Sequence, residues 1–298
     1  MELDSQDTYT LEPLKQTLPE DFKVHPATSF SLEAIAGLFT LGFEGSLVPV
    51  RMSAGALSLM IRRDSLDLAA SRVFTKGDRP VAFILMCSRG WSRRVAGMGV
   101  VSDFRRIGLG HRLMETVIQD AAENRFRRIL LEVVEGNDSA VRLYRELGFQ
   151  VERRLVGYQM RCRNDLELTG DELREMDPRE LGKILEYEAP PDTPWQLSME
   201  SIAAAGPPEV ALRLGDKAYV LINGLTETDG TLHLVLVPHA LRRQGWGMRL
   251  IRALCGRYPG RRWRIPARFP ENLAPEFFER AGFRRLAPSQ LEMVLTVR

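Results

Sequence analysis

The chain has 298 residues, with 41 basic and 39 acidic side chains and a net charge of +2. That length allows two domains of ordinary size, each burying its own core, and the balanced charge argues against a nucleic-acid footprint despite the pairs Arg93-Arg94, Arg127-Arg128, Arg153-Arg154 and Arg261-Arg262. No apolar run approaches a membrane span, and Cys87, Cys162 and Cys255 lack metal-ligand spacing, so no metal site is expected; their odd number suggests reduced thiols in a cytoplasmic protein.

Residues 1–21 read as an extension, acidic at Glu2, Asp4 and Asp7, without the basic and apolar regions of a signal peptide. From about Phe22 the pattern becomes periodic. Ser31 opens a helix running to Phe43, and a second helix covers Ala54 to Ile61. Three strands follow, Leu68 to Phe74, Val81 to Met86 and Val95 to Val101, the first two joined by a turn at Lys76 to Pro80. A turn and a helix come next, then a strand from Ile129 to Val134, a helix, and paired terminal strands ending near Cys162. The polar run Arg163-Asn164-Asp165 is the expected boundary, giving domains 22–165 and 166–298.

The second half repeats the order. Helices are expected over Pro178 to Tyr187 and Leu197 to Ala205, then strands over Lys217 to Asn223 and Leu232 to Val237. The loops Ala189-Pro190-Pro191 and Gly206-Pro207-Pro208 are stiff surface connections or cleft walls. The clearest sign of repetition is a turn met twice, Arg105-Arg106-Ile107-Gly108-Leu109-Gly110-His111 and, 137 positions on, Arg242-Arg243-Gln244-Gly245-Trp246-Gly247. Glycines two apart let several backbone N–H groups converge on an anion at a helix N-terminus. The Walker pattern and the third glycine of a dinucleotide fingerprint are both missing.

Downstream of the first turn stands Glu132 in its strand, then Asn137, Ala140, Leu143, Tyr144, Gly148 and Phe149 in the following helix. Turn and helix together resemble the GNAT superfamily of acyl-CoA-dependent N-acyltransferases, with its [Q/R]xxGx[G/A] turn and NxxAxxLYxxxGF helix. The resemblance implies an α/β (α+β) fold of two tandem GNAT domains, each with a mixed, mostly antiparallel sheet flanked by helices. It implies acetyl-CoA as cofactor, a pyrophosphate cradle from Arg106 through Ile107, Gly108, Leu109 and Gly110 to His111, with Arg105 adding attraction. Pantetheine contacts are implied at Gly99, Val100, Val101 and Asn137, and an oxyanion N–H near Val100.

Glu132 interrupts an apolar strand, where an unpaired carboxylate is costly. Two roles are open to it: a base for the acceptor ammonium, or a carboxylate paired to Arg127 or capping a helix. Its spacing of twelve to Tyr144 is similar to the ribosomal-protein alanine N-acetyltransferases, where the glutamate is base and the tyrosine acid. Tyr144 otherwise reads as a core aromatic. Asn137 and Gly148 also suit helix caps.

In the second half Glu271 to Phe283 repeats the helix, but Phe278 stands in Tyr144's place and Pro266 in that of Glu132. Pro266 also suggests an edge or broken strand. Arg242, Arg243, Gly245, Trp246 and Gly247 retain a cofactor turn, so this domain is expected to be catalytically degenerate. The expected activity moves an acetyl group from acetyl-CoA to a primary amine of a small molecule or a peptide N-terminus. The alternative is a non-catalytic acyl-CoA-binding or sensing protein. No nucleic-acid or membrane partner is expected, and a homo-oligomer stays open. The acceptor is expected under Phe43 to Arg51, where Glu44 suits a cationic amine and Arg51 a carboxylate.

Overall fold

A computed structural model describes residues 21–162, 172–224 and 228–297. The acidic N-terminus and the expected boundary at Arg163-Asn164-Asp165 lie outside them. The chain forms two compact units, Met1–Arg153 with Leu291–Arg298, and Arg154–Gln290. The division therefore differs from a cut near residue 165: the chain leaves unit 1 within one strand and returns to it within another, so each unit is completed by a strand from the other repeat. Sequence periodicity marks strands but is silent about which sheet they join.

In unit 1, β1 (Phe22–Pro26) precedes α1 (Leu32–Gly42) and α2 (Ala54–Asp64), whose first turns are capped by the side chains of Ser31 and Ser53. Then come β2 (Leu66–Lys76), β3 (Arg79–Arg89), β4 (Ser92–Val100), α3 (Leu109–Glu123), β5 (Arg128–Val134), α4 (Asp138–Glu146) and the first residues of β6 (Gln150–Arg161). Strand order is β1-β2-β3-β4-β5, continued after β5 by the C-terminal part of the chain's last strand. The α3 stripe of Leu109, Leu113, Met114, Val117, Ile118 and Ala121 packs on one sheet face with Ile129, Leu131 and Val133 of β5. Strand alternation turns Leu130 and Glu132 to the other face. On that face α1 stacks Phe39 on Phe83 of β3 at 5.0 Å between centroids.

Unit 2 takes the rest of β6, then β7 (Leu173–Met176), α5 (Pro178–Glu188), α6 (Met199–Ala203), β8 (Val210–Leu214), β9 (Ala218–Asn223), β10 (Asp229–Leu236), α7 (Trp246–Arg257), β11 (Arg262–Pro270), α8 (Pro275–Arg280) and the start of β12 (Arg284–Thr296). Its strand order is β12-β6-β11-β10-β9-β8-β7. Pro266 lies in a register shift between Ile265 and Phe269, on a strand flanked by β6 and β10. The strand runs on through Pro266 as one element, its pairing with β6 shifted in register there, and it is not an edge.

The cysteine reading is corrected. Cys162 and Cys255 form a disulfide joining the end of β6 to α7, and Cys87 is the buried free thiol. The odd count therefore supports no argument for a reducing compartment. Tying two points 93 residues apart restricts the unfolded chain, so reduction of the bond should lower stability by about 2–5 kcal/mol. Denaturant unfolding with and without reductant, read from Trp fluorescence, checks this. Among the described residues no helix is long and apolar enough to cross a membrane, and no group of three or more His, Cys, Asp or Glu could hold a metal.

Candidate active site

The site is built where two strands part. β4 and β5 pair in parallel from Ser92↔Arg128 to Val95↔Leu131 and no further. Opposite β3, Met86 faces Val95 and Leu85 faces Gly97, so Ala96 is an extra residue, a bulge at the fork. Past it the Val101 N–H donates to the Val81 carbonyl. Ladder alternation then turns the amides of Met98 and Val100 away from β3, toward the open side. Gly99 has a packing reason of its own: an added Cβ would lie 2.7 Å from the Phe83 ring and 3.0 Å from Gly42.

Beyond β4 the chain turns into α3 through Arg106 at φ +63° and Gly108 at φ +88°. Gly108 caps α3 without a side chain, and the first turn carries no acid, so the leading amides and the positive end of the helix face outward. That is a donor set suited to a diphosphate, and Gly108 occupies a conformation that side chains disfavour. Ile107 is exposed. His111 turns to Glu115, 3.5 Å away. The Arg105 guanidinium does not face the turn. It donates to the carbonyls of Val100 (2.9 Å), Gly42 (3.1 Å) and Glu44 (2.7 Å), tying the loop after α1 to β4. That loop exposes Leu47 and Val48, and the side chains of Glu44 and Arg51 are also outward.

Glu132 sits one residue beyond the last β4–β5 pair. Its carboxylate accepts from Arg94 Nε at 2.8 and 2.9 Å and from Nη2 at 2.6 Å. Arg127, the partner considered from sequence, instead stacks on Trp91 at 4.5 Å. Burial works against the Arg94 charge, yet attraction and hydrogen bonds from Glu132 raise its pKa above the usual arginine value. Replacing Arg94 with Met should strand a largely buried carboxylate and destabilise the fold by about 3–5 kcal/mol. The double variant with Glu132→Gln should recover much of that loss in urea unfolding, because neither charge remains.

Asn137 caps α4, its Oδ1 accepting from the Ala140 N–H at 3.4 Å and from Ser139 Oγ at 3.1 Å. The helix ends with the Gly148 N–H donating to Arg145 and the Phe149 N–H to Tyr144. Tyr144 lies in the unit 1 core, and burial pushes its phenol up to about 12.

A second carboxylate on this side of the sheet escaped sequence reading. Leu291–Arg298 belongs to unit 1, and Met293, Leu295 and Val297 join the core beside α3, which turns Glu292 to the face of Glu132. The Val297 N–H donates to the Arg127 carbonyl, a bond that carried along the ladder sets Glu292 opposite Glu132. Arg153 Nε donates to Glu292 Oε2, while Oε1 is buried with no hydrogen-bond partner among the described residues. Burial pushes Glu292 up to about 7, Arg153 opposing and Glu132 adding to the rise. The signal was available, an acid inside the apolar run Leu291 to Leu295, but only the strand exchange brings it to this site.

Unit 2 copies the scaffold. Arg243 and Gly245 lie at φ +64° and +85°, and Arg242 Nε donates to the Val237 carbonyl at 3.0 Å as Arg105 does to Val100. β10 and β11 part after Thr231↔Arg264, and the bulge recurs at His233, the counterpart of Ala96. The contents differ. His233 is buried, with Arg268 Nη1 3.4 Å from Nδ1 and Glu209 3.8 Å from Nε2. Phe278 is stacked on Tyr158 at 4.6 Å, Trp246 lies under Arg249, and the Phe277 ring leaves no space for a Cβ on Gly247.

A forked parallel pair, a bulge, a glycine-capped helix and a capped helix carrying a buried tyrosine define a GNAT-type acetyltransferase fold. Residues 56–149 match the acetyltransferase (GNAT) family, and the chain has the fold of two tandem GNAT copies. It is similar over 95% of its length to a GCN5-related N-acetyltransferase from Sphaerobacter thermophilus, covering 98% of that chain at 18% identity and a TM-score of 0.68. A tandem GNAT protein from the clavulanic acid biosynthesis pathway is similar over 93% of this chain and 98% of its own, at 14% identity and a TM-score of 0.64. At those identities the likeness speaks for the fold. A curated relative, N-alpha-acetyltransferase 20 from Dictyostelium discoideum, is 26% identical over 111 residues, 35% of this chain. The chain spans about three fifths of that relative's length, 61%.

Proposed function

We propose that unit 1 is an N-acetyltransferase acting from acetyl-CoA on a primary amine of a small molecule or a peptide N-terminus. The observations that carry this reading are the fork between β4 and β5, with outward amides on β4 and Glu132 just past the last pair, and the glycine-capped helix that follows, with Tyr144 of α4 in the adjoining core. When bound, acetyl-CoA supplies an acetyl group activated as a thioester. The amides from Arg106 to His111 would hold its diphosphate, and Val100 and Asn137 its pantetheine arm, beside Gly99, while Val101, whose N–H and carbonyl are bonded to Val81 and Phe104, fixes the end of β4. The Val100 N–H is placed for a developing oxyanion. Glu132, anchored by Arg94, attracts the acceptor ammonium, and Tyr144 keeps a proton for the departing sulfur.

Unit 2 keeps the cofactor turn at Arg242, Arg243, Gly245, Trp246 and Gly247 but has Phe278 and Pro266 where unit 1 has Tyr144 and Glu132. We read it as catalytically degenerate, its fork taken by His233. The test presents acetyl-CoA with a panel of amines, antibiotics and peptide N-termini and follows release of free CoA thiol. Acetyl-CoA binding by calorimetry with no release for any acceptor would favour an acyl-CoA-binding or sensing protein instead. The match to an N-alpha-acetyltransferase places peptides with free α-amino groups first in the panel.

A further inference from the structure

We propose that Glu292, contributed by the C-terminal strand, is the proton acceptor of the unit 1 site, with Glu132 as its orienting partner. This rests on the acetyltransferase reading above. Two carboxylates directly opposite on one sheet face repel each other, so their environments must differ for both to persist. They do. Arg94 from β4 satisfies Glu132 on both oxygens, whereas Arg153 from β6 engages Glu292 through one oxygen and leaves Oε1 without a partner among the described residues. A carboxylate held bidentately by arginine is a poor proton acceptor, because taking the proton breaks charge-assisted hydrogen bonds. Glu292 loses no such bond at Oε1.

The other charged groups near the pair are Glu152 on β6, 3.6 Å from Arg153, and Asp64 at the end of α2, which adds to the field at Arg94. Cys87 on β3 also lies beside Arg94, Sγ to Nη1 at 4.0 Å, with its thiol held protonated by burial, up to about 12. The base is thus poised near neutrality, at about 7, where an acceptor of protons is most effective.

The proton balance follows. The acceptor ammonium gives one proton to Glu292 Oε1 through a bridging water, since Oε1 itself is buried. The freed nitrogen lone pair forms the C–N bond, and the C–S electron pair leaves on sulfur, which takes the Tyr144 proton. The second nitrogen proton restores Tyr144, and Glu292 releases its own to solvent.

Turnover of acetyl-CoA with a tetrapeptide bearing a free α-amino group is measured from pH 5.5 to about 9, spanning the ordinary α-amino pKa of about 8. Glu292→Gln should lower the rate at least about tenfold below pH 7 and abolish the acid limb centred near the parent's midpoint, with recovery where the peptide is already deprotonated. Glu132→Gln should lower the rate at every pH and keep an acid limb, its midpoint moved to lower pH because the Glu132 charge that helps raise Glu292 is gone. A Glu292→Gln profile that retains the parent's limb and midpoint overturns the assignment while leaving the acetyltransferase intact. A parent that transfers to no panel amine overturns the acetyltransferase reading and this proposal together.

A second measurement needs no substrate. With a folded-state pKa raised from the ordinary glutamate value to about 7, Glu292 contributes stability that is complete below the unfolded value and lost as pH rises through 7. The parent's Tm should therefore fall relative to that of Glu292→Gln from about pH 4.5 to 7 and level off above that. Parallel Tm curves would show that Glu292 does not titrate there and would overturn the proposal.

Discussion

Replacing Gly108 with Glu should abolish the proposed acetyl transfer, whereas the same change at Gly245 should leave unit 1 chemistry largely intact. Both glycines cap a helix at nearly the same left-handed φ, +88° and +85°, so the two substitutions carry the same backbone strain and differ only in the site they occupy. At Gly108 the new carboxylate stands where the diphosphate would be held. One like-charge pair at 4 Å costs about 4 kcal/mol in partly screened surroundings, roughly a thousandfold in affinity, before any steric exclusion. Unit 2 offers no Tyr144 or Glu132 equivalent to take over the reaction. Calorimetry with acetyl-CoA adds the stoichiometry: two sites in the parent and one in each variant if the second turn binds, one site in the parent if it does not. A folded Gly245→Glu enzyme without activity, beside an active Gly108→Glu enzyme, would place catalysis in unit 2 and overturn the assignment.

Tyr144→Phe should lower turnover by about 10² to 10⁴ while acetyl-CoA affinity changes little, because the ring keeps its place in the core and only the proton donor is lost. The phenol is held up to about 12, so it stays protonated across the working range, and any alkaline limb below pH 10 in the parent belongs to another group. Turnover that survives the substitution would make Tyr144 a packing residue alone. Tm should move by little, since the ring still meets Phe149 at 5.9 Å between centroids. Phe278 in unit 2 is in effect this variant already made.

The parts legible in the chain alone are those whose geometry is decided within a few residues. The paired turns were readable because a left-handed residue at Gly108 or Gly245, followed by an apolar helical stripe, is a local requirement of backbone sterics. The cap at Asn137, the close of α4 at Gly148 and the replacement of Tyr144 by Phe278 were readable for the same reason. Partners set by strand register were not. Glu132 was visible as a costly acid in an apolar strand, but whether Arg94, Arg127 or no group met it depended on where β4 and β5 pair and part. Glu292 and Glu132 face each other because a strand far along the chain completes unit 1, and Cys162 meets Cys255 because the end of β6 comes to lie against α7. Local preference and hydrophobic period specify what an element is; only long-range pairing, decided by packing of the whole sheet, specifies which charges it brings together.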